Sequence, residues 1–278
     1  RKLDIQHFFY IGGNDSMDTI KQLSEYAKAK NITDITFMGV PKTIDNDLAV
    51  TDHTPGYGSA AKYIASTMKE IIRDALVQPI KIVNIIEIMG RNAGWLTAAS
   101  ALAKGDDCEG VDLIYLPETV FDINKFVAKV QEIQKTKKQI VVAVSEGVKT
   151  ADGKYVCESA SSNMLVDSFG HKQLSGTASA LANVISNEIG CKTRAIEFST
   201  IQRCASHIAS LTDVNEAFIV GGIAVKAAFD GETGKVGIFQ RLSNKPYLMG
   251  TSIYDVNAIA NVEKTVPQEW IINDGTGV

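Results

Sequence analysis

Short runs of apolar residues alternate along the chain with longer segments in which apolar residues recur at helical spacing. Runs rich in β-branched and aromatic residues predict strands at 7–11, 35–40, 81–88, 111–116, 139–144, 194–199 and 236–242. The helical periodicity predicts helices at 16–29, 57–76, 96–104, 123–135, 176–188 and 215–229. Strands that alternate with helices are typical of βαβ units around a mainly parallel sheet. The pattern therefore predicts an α/β fold.

The segment 16–29 illustrates the helical pattern. Ile20, Leu23 and Ala27 fall on one face, and Ser16 precedes the acidic Asp18 in the first turn. Ser16 is therefore predicted to cap the amino terminus of this helix.

The composition indicates a globular protein without a basic surface. The 278 residues are 45% hydrophobic and 22% charged, which suits one large or two ordinary domains with a sizeable core. A formal net charge of -4 supplies no electrostatic field for nucleic acid or an anionic membrane. A phosphate ligand would therefore need a local group of Lys, Arg and backbone N–H donors. Since no long linker interrupts the chain, two domains would have to be interwoven by crossings at turns.

The cysteines and the hydropathy predict a cytoplasmic protein. Cys108, Cys157, Cys191 and Cys204 lie far apart without a Cys-x-x-Cys spacing, which argues against a zinc site and a disulfide framework. No apolar run reaches about 18 residues and no charged-then-apolar leader is visible, so neither a membrane span nor a signal peptide is predicted. The chain starts at Arg1 and enters a strand almost at once, so we expect it to lack its natural start.

Reactive side chains follow the predicted strands, where open α/β sheets bind ligands. After the first strand, Gly12 and Gly13 let the backbone approach a ligand, and the next helix offers N–H groups and a positive dipole end to an anion. A Gly-Gly pair by itself more often marks a plain turn. Asp15 is unexpected here, because a carboxylate repels phosphate unless a cation lies between them.

The stretch after the second predicted strand supplies such a cation. Lys42 can offset phosphate charge, Thr43 can hydrogen-bond a substrate, and Asp45 and Asp47 can act as a general base and as a magnesium-binding or orienting carboxylate. A structural turn is the alternative, because Asn and Asp are ordinary turn formers and Pro41 fixes its own φ. Two such loops on neighbouring strands favour the functional interpretation.

Two further strands end in polar residues. Arg91 follows Gly90 where a helix begins, which suits bidentate recognition of a phosphate, although a surface ion pair is the alternative for a lone arginine. Glu146 ends an apolar run with a carboxylate suited to a sugar hydroxyl.

Five motifs, in order and with compatible spacing, resemble the phosphofructokinase family: Gly12-Gly13-x-x-Ser16, Thr43-Ile44-Asp45-Asn46-Asp47, Met89-Gly90-Arg91, Glu146 and Ile201-Gln202-Arg203. The resemblance covers nearly the whole chain. It implies two interwoven Rossmann-like α/β domains with mainly parallel sheets, the donor domain at 1–56 and 202–250 and the sugar-phosphate domain at 57–201 and 251–278. It also implies that an amino-terminal part with a glycine-rich donor loop is missing.

The family transfers a phosphoryl group from ATP or diphosphate to the 1-hydroxyl of fructose 6-phosphate. By resemblance, Asp45 accepts the proton of that hydroxyl, with Thr43, Ile44 and Asp47 beside it, and Arg91 contacts the moving phosphoryl group. The other implied sugar-phosphate contacts are Met89, Gly90, Glu146, Thr200, Arg203 and, across a subunit interface, Arg194.

Asp15 and Lys42 distinguish the two donors, because ATP-dependent members carry glycine at both positions. The Asp15 carboxylate occupies the space and carries the sign of the nucleotide's α-phosphate, so ATP is expected to be excluded. Lys42 adds a cation that diphosphate needs in the transition state. The implied donor site, Gly12, Gly13, Asn14, Asp15 and Lys42, therefore resembles the diphosphate-dependent branch.

Two positions depart from the family pattern. Asn14 stands where many relatives have a magnesium-linked Asp, so Mg²⁺ is expected to be held by Asn14 through water or chiefly by diphosphate oxygens. Thr200 stands where relatives have His or Tyr, which leaves one sugar-phosphate contact open.

The resemblance thus implies reversible, magnesium-dependent phosphoryl transfer from diphosphate to fructose 6-phosphate in cytoplasmic glycolysis, by a homodimer or homotetramer. Neither nucleic acid nor a membrane is expected as a partner. An ATP-dependent phosphofructokinase is one alternative, against which Asp15 and Lys42 argue. A non-catalytic regulatory subunit of the same fold is another, which Asn14 and Thr200 leave open.

Overall fold

The computed structural model describes residues 3–159 and 174–278. Its strands are β1 (His7–Gly12), β2 (Thr36–Pro41), β3 (Ile82–Ile88), β4 (Leu113–Tyr115), β5 (Gln139–Ser145), β6 (Lys192–Glu197), β7 (Lys235–Asn244) and β8 (Tyr247–Asp255). Its α-helices are α1 (Asn14–Ala29), α2 (Tyr57–Leu76), α3 (Trp95–Ala98), α4 (Ile123–Ile133), α5 (Thr177–Ile189) and α6 (Leu211–Phe229). Within the described ranges, no helix is long and apolar enough to cross a membrane.

The described strands form two four-stranded sheets. The first has the order β1-β2-β7-β8 and is parallel except for the antiparallel pair of β7 and β8. The second has the order β4-β5-β3-β6, and all of its pairs are parallel. The prediction of mainly parallel sheets with alternating helices is therefore confirmed.

The cores explain the apolar runs of the sequence. Every residue of β3 is buried, and all but Asn84 and Glu87 are apolar, as is typical of a central strand in a parallel sheet covered on both faces. In the first unit, one face of α1 contributes Met17 and Ile20 to a buried cluster that also contains Val236 and Ile238 of β7. These packed faces fix the strand ends from which the polar loops emerge.

The chain divides into two compact units. One comprises Arg1–Ser59 with Ala209–Lys264, and the other comprises Ala60–Ile208 with Thr265–Val278. The last boundary follows Lys264 and not residue 250, because β8 belongs to the first sheet through its pairing with β7. The assignment of a donor and a sugar phosphate to separate domains stays a prediction.

The structure corrects several local predictions. The strand β8 was not predicted, because Gly250, Thr251 and Ser252 interrupt its apolar pattern. The helix α1 begins at Asn14 after Gly13, so Ser16 lies inside the first turn and is not the cap. The predicted helix 96–104 is a short α-helix followed by a 3₁₀ segment, and α6 begins earlier than predicted.

Candidate active site

In the first unit, β1 and β2 end side by side. They pair with Gly12 opposite Pro41, and the Lys42 N–H donates to the Gly12 carbonyl over 3.0 Å. Gly12 has no room for a side chain, since a Cβ there would lie 2.0 Å from the Ser16 Oγ. The glycine loop and the segment 43–56, here called the acidic loop, therefore leave the sheet from neighbouring strands, as predicted.

Asn14 and Asp15 occupy the start of α1. The Asn14 amide is engaged with a distant segment, because its Nδ2 donates to the Val262 carbonyl over 3.1 Å and its Oδ1 accepts from the Asn261 N–H over 2.9 Å. Asp15 is exposed in the first turn, where the helix dipole favours a negative charge. Its carboxylate therefore competes with any anionic ligand for this helix terminus.

Thr43 and Asp45 form a hydrogen-bonded turn at the start of the acidic loop. The Thr43 Oγ1 accepts from the Asp45 N–H over 3.1 Å and donates to the Asp45 Oδ2 over 3.2 Å. Thr43 is buried, and its carbonyl accepts from the Thr54 Oγ1 over 2.7 Å. The side chain of Ile44 packs against Gly56. The half-buried Asp45 carboxylate is thus held by its own loop.

Asn46 and Asp47 continue the loop toward the interior. Asn46 is buried with a φ of 55°, and its Oδ1 accepts from the Thr54 N–H over 3.1 Å. Within the described part of the chain, the Asp47 Oδ1 is buried without a hydrogen-bond partner. Burial, reinforced by the charge of Asp45, raises the pKa of Asp47 to about 6.

A charged network holds the middle of the acidic loop. The two ring nitrogens of His53 lie 2.8 Å from the Asp52 Oδ1 and 2.9 Å from the Glu216 Oε2, and the ring stacks on Phe239. Arg241 donates to both carboxylate oxygens of Asp52. Burial opposes ionisation of Asp52, but the hydrogen bonds from Arg241 and His53 outweigh it and lower the pKa of Asp52.

Asp213 of α6 holds the end of the loop. Its carboxylate accepts from the Gly56 N–H over 2.8 Å, from the Ser59 N–H over 3.0 Å and from the Ser59 Oγ over 2.5 Å. These donors flank the first residue of α2, whose terminal N–H groups have no partners within the helix. Asp213 therefore caps α2 and fixes where the acidic loop ends.

The Lys42 side chain is exposed and borders a groove of about 890 Å³. Apolar side chains of β1, β2 and α6 form most of its wall, including Ile11, Val214 and Phe218, with Asp213 as a second charged lining residue. An apolar wall does not recognise diphosphate, so the predicted role of Lys42 depends on its position beside Gly12.

In the second unit, main-chain geometry brings the ends of β3 and β5 together. Gly90 has a φ of 134°, its N–H donates to the Glu146 Oε1 over 3.2 Å, and its carbonyl accepts from the Ser145 Oγ over 2.5 Å. A Cβ on Gly147 would lie 1.9 Å from the Arg91 carbonyl oxygen. The loop that carries Arg91 therefore lies directly on the loop that carries Glu146.

A cavity of about 210 Å³ opens at these strand ends. The predicted site residues that line it are Met89, Arg91, Glu146, Thr200 and Arg203. Gln202 is largely buried and also lines the cavity; it accepts from the Met89 N–H over 3.4 Å and donates to the Ser199 carbonyl over 3.1 Å. The structure thus brings together one guanidinium from each of two loops and a carboxylate from a third.

Arg194 does not line this cavity. It lies within β6 opposite Asn84 of β3, and its guanidinium pairs with Asp74 of α2 over 2.9 Å. Its predicted contribution to a neighbouring subunit stays a prediction.

Two carboxylates of the cavity wall were missed. Glu87 is buried in β3, where its Oε2 accepts from the Ala178 N–H over 2.9 Å, and Glu197 ends β6 and accepts from the Ser175 Oγ over 3.2 Å. Burial, reinforced by the charge of Glu197, raises the pKa of Glu87 to about 7, against the lowering effect of the Ala178 N–H. The available signal was a carboxylate inside the otherwise apolar run of a central strand.

Comparison with known proteins gives the family. A sequence profile described as Phosphofructokinase matches residues 1–206. The chain belongs to the phosphofructokinase family. It is 39% identical over 280 residues to a protein of Halomonas elongata and 41% identical to one of Xanthomonas campestris pv. campestris, each named pyrophosphate--fructose 6-phosphate 1-phosphotransferase. These matches cover 100% of this chain and 66% of the relatives, so the chain spans slightly less than two thirds of their length.

The phosphofructokinase fold is also found by comparison with solved structures. The crystal structure of pyrophosphate-dependent phosphofructokinase from Nitrosospira multiformis superposes with a TM-score of 0.86 at 37% identity. The match covers 100% of this chain and 65% of that chain. The predicted family and fold are therefore confirmed.

Phosphotransferases of the phosphofructokinase family generally use Mg²⁺. Asn14 by itself does not make a magnesium site, because it offers one neutral amide oxygen, which also accepts from the Asn261 N–H. Among residues 3–159 and 174–278, no group of three His, Cys, Asp or Glu side chains forms a metal site. Coordination through water or by diphosphate oxygens stays a prediction.

Proposed function

We propose that the full-length protein transfers a phosphoryl group reversibly between diphosphate and the 1-hydroxyl of fructose 6-phosphate. The observation that carries this proposal is the pairing of Gly12 with Pro41, which starts the loops of Asp15 and Lys42 side by side. Lys42 is exposed and Asp15 sits on the helix terminus, where a nucleotide's α-phosphate would meet a carboxylate. The names of the relatives from Halomonas and Xanthomonas support the same reaction.

The acidic loop supplies the base. Asp45 is oriented by the Thr43 hydroxyl and is proposed to accept the proton of the attacking hydroxyl, with Asp47 beside it. Lys42 and Arg91 neutralise charge on the transferring group. Phosphoryl transfer requires little covalent chemistry from the protein, so positioning and charge supply most of the rate.

The cavity of the second unit is proposed to bind the sugar phosphate. Arg203 and Arg91 provide guanidinium groups for phosphate oxygens, and the Glu146 carboxylate accepts sugar hydroxyls. Met89 and Thr200 also line the cavity, and Gly90 is proposed to contact the sugar beside them. Arg194 is proposed to act at an interface of a homodimer or homotetramer, in which its pairing with Asp74 would be exchanged for a phosphate.

Magnesium and the cellular setting are part of the same proposal. Mg²⁺ is proposed to be bound chiefly by diphosphate oxygens, since Asn14 offers only a neutral amide oxygen, which is a poorer ligand than a carboxylate. The enzyme is proposed to act in cytoplasmic glycolysis.

A coupled assay on the full-length protein tests the reaction and the donor. Fructose 6-phosphate and Mg²⁺ are supplied with either diphosphate or ATP, for the wild type and Asp15→Gly. Turnover with diphosphate alone, with ATP use appearing in Asp15→Gly, supports the proposal. Turnover of the wild type with ATP contradicts the donor assignment, and sugar-phosphate binding without turnover indicates a regulatory subunit.

A further inference from the structure

Lys264 is the last residue of the first unit, and it contacts the acidic loop. Its Nζ donates to the Asn46 Oδ1 over 3.3 Å, to the Thr51 carbonyl over 3.0 Å and to the Asp52 carbonyl over 2.9 Å. Its backbone N–H donates to the Asp47 carbonyl over 2.7 Å. A single residue therefore bonds both to the part of the loop that carries the carboxylates and to the part beyond them.

The ammonium makes several bonds to one short segment. A lysine has three donors, and three acceptors that bond to the Lys264 ammonium lie within residues 46–52. Two of them are main-chain carbonyls, which cannot turn toward another donor without moving the backbone. Loss of the ammonium would leave these acceptors to find new partners by a change in loop shape.

Burial of the Lys264 ammonium disfavours its charged form. Burial lowers the pKa of Lys264 to about 8, although the charges of Asp52 and Asp47 oppose this effect. A buried ammonium is poor evidence of added stability, because its desolvation offsets much of the attraction to its partners. The hydrogen bonds of Lys264 are better explained by the need to hold the acidic loop in one defined conformation.

The contacts of Asn46 show how that conformation reaches the proposed base. Asn46 adopts a positive φ, and its Oδ1 is shared between Lys264 and the Thr54 N–H. Thr54 in turn bonds to the Thr43 carbonyl, and Thr43 orients Asp45. A continuous chain of hydrogen bonds thus joins the ammonium to the turn of the base.

We propose that Lys264 is a positioning residue, which holds residues 46–52 in the shape that orients Asp45 and Asp47 for phosphoryl transfer. This inference rests on the proposed phosphotransferase function. Lys264 touches neither donor nor acceptor in this role, in contrast to Lys42.

The test compares Lys264→Met and Lys264→Arg with a matched control, Lys226→Met, in the full-length protein. Lys226 is an exposed lysine of α6 in the same unit and pairs only with Asp230 among the described ion pairs. We expect Lys264→Met to lower kcat per folded molecule by about 10- to 100-fold, because small misplacements of reacting groups have effects of this size. The KM values for diphosphate and fructose 6-phosphate should stay near those of the wild type. Lys264→Arg should recover part of kcat, and Lys226→Met should match the wild type.

Hydrogen exchange supplies a readout that does not depend on activity. Faster exchange confined to residues 46–54 in Lys264→Met shows that Lys264 holds the loop, and together with the lower kcat it supports the proposal. If the full-length wild type has no phosphotransferase activity, the proposed function fails and the role of Lys264 in phosphoryl transfer fails with it, while faster exchange still shows that Lys264 holds the loop. Unchanged exchange there, or a kcat equal to that of the wild type, overturns the proposal. If Lys264→Met does not fold, Lys264→Arg decides: a several-fold lower kcat at unchanged KM supports the role, and wild-type kcat contradicts it.

Discussion

In the second unit, Gly90 and Glu146 meet because β3 and β5 pair with Ile88 opposite Ser145. In the first unit, the acidic loop bonds to β7 through Thr51 and Asp52 and is also held by side chains of remote segments, among them Asp213 and Lys264. The cavity therefore takes its shape from sheet register and close backbone packing. The acidic loop takes its shape from polar contacts with residues more than 150 positions away.

This difference predicts different sensitivities. A cavity shaped by backbone packing should tolerate substitution of many of its polar side chains, but not the addition of a Cβ to its glycines. A loop held by polar contacts tolerates small volume changes but not the loss of an acceptor or a donor, because a buried unsatisfied group costs about 1–3 kcal/mol.

Asp45→Ser should have the largest effect on activity. Serine keeps a hydroxyl that can bond to Thr43 but is no base at neutral pH, so kcat should fall by about 10²- to 10⁴-fold. Near-ultraviolet and far-ultraviolet circular dichroism should match the wild type, because Asp45 is only half-buried. Wild-type turnover in the coupled diphosphate assay would show that Asp45 is not the base.

Gly147→Ala should disrupt the second unit. The new Cβ would lie 1.9 Å from the Arg91 carbonyl oxygen, so the backbone must move. We expect the free energy of unfolding to fall by about 3 kcal/mol or more, with weakened fructose 6-phosphate binding. Denaturant titration and calorimetry measure these two quantities.

The matched control for Gly147→Ala is Gly58→Ala in the first unit. A Cβ on Gly58 would meet the Asp213 Cβ at an ordinary 3.5 Å. This variant should differ from the wild type by no more than about 1 kcal/mol. Equal stability of the two variants would mean that close backbone packing does not define the cavity.

Asp213→Asn should loosen the acidic loop. The amide can accept at one position only, while the carboxylate accepts from Gly56 and from two donors of Ser59. We expect a loss of about 1–3 kcal/mol in the free energy of unfolding, together with a lower kcat. Asp230→Asn is the control on the same helix, because its exposed pair with Lys226 is worth less than about 1 kcal/mol. A loss no larger than that of the control would contradict the capping role.

The same contrast explains which features could be predicted from the sequence. The alternation of strands and helices predicts the two mainly parallel sheets, and residues at strand ends such as Arg91 and Glu146 could be assigned to one cavity, because parallel strands end at the same edge. Placement of Lys42 beside the glycine loop follows from the same rule. The functional roles of these residues stay predictions.

Lys264 and Glu216 could not be found in this way. Their partners are main-chain carbonyls or side chains far along the chain, and a lysine between Glu263 and Thr265 has the local pattern of an exposed residue. The strand β8 was missed because its pairing with β7, not its own apolar pattern, defines it. Glu87 was also missed, but it could have been found from the sequence, since a carboxylate within a buried strand is itself a signal.

Glu87→Gln should have the smallest effect, and one that depends on pH. Glu87 is 5% exposed and its pKa is raised to about 7 by burial first and by the charge of Glu197 second, from an ordinary value of 4.5. The folded state therefore binds the proton more tightly than the unfolded state, so stability is complete below pH 4.5 and is lost as the pH rises through 7.

Glutamine stays neutral and can still accept from the Ala178 N–H. The variant should match the wild type at about pH 4 and exceed its free energy of unfolding by about 1–3 kcal/mol at pH 8. Urea titrations at both pH values measure the difference, with the exposed Glu132→Gln as control. If the free energy of unfolding declines equally in Glu87→Gln and Glu132→Gln as the pH rises, Glu87 is ionised without cost in the second unit.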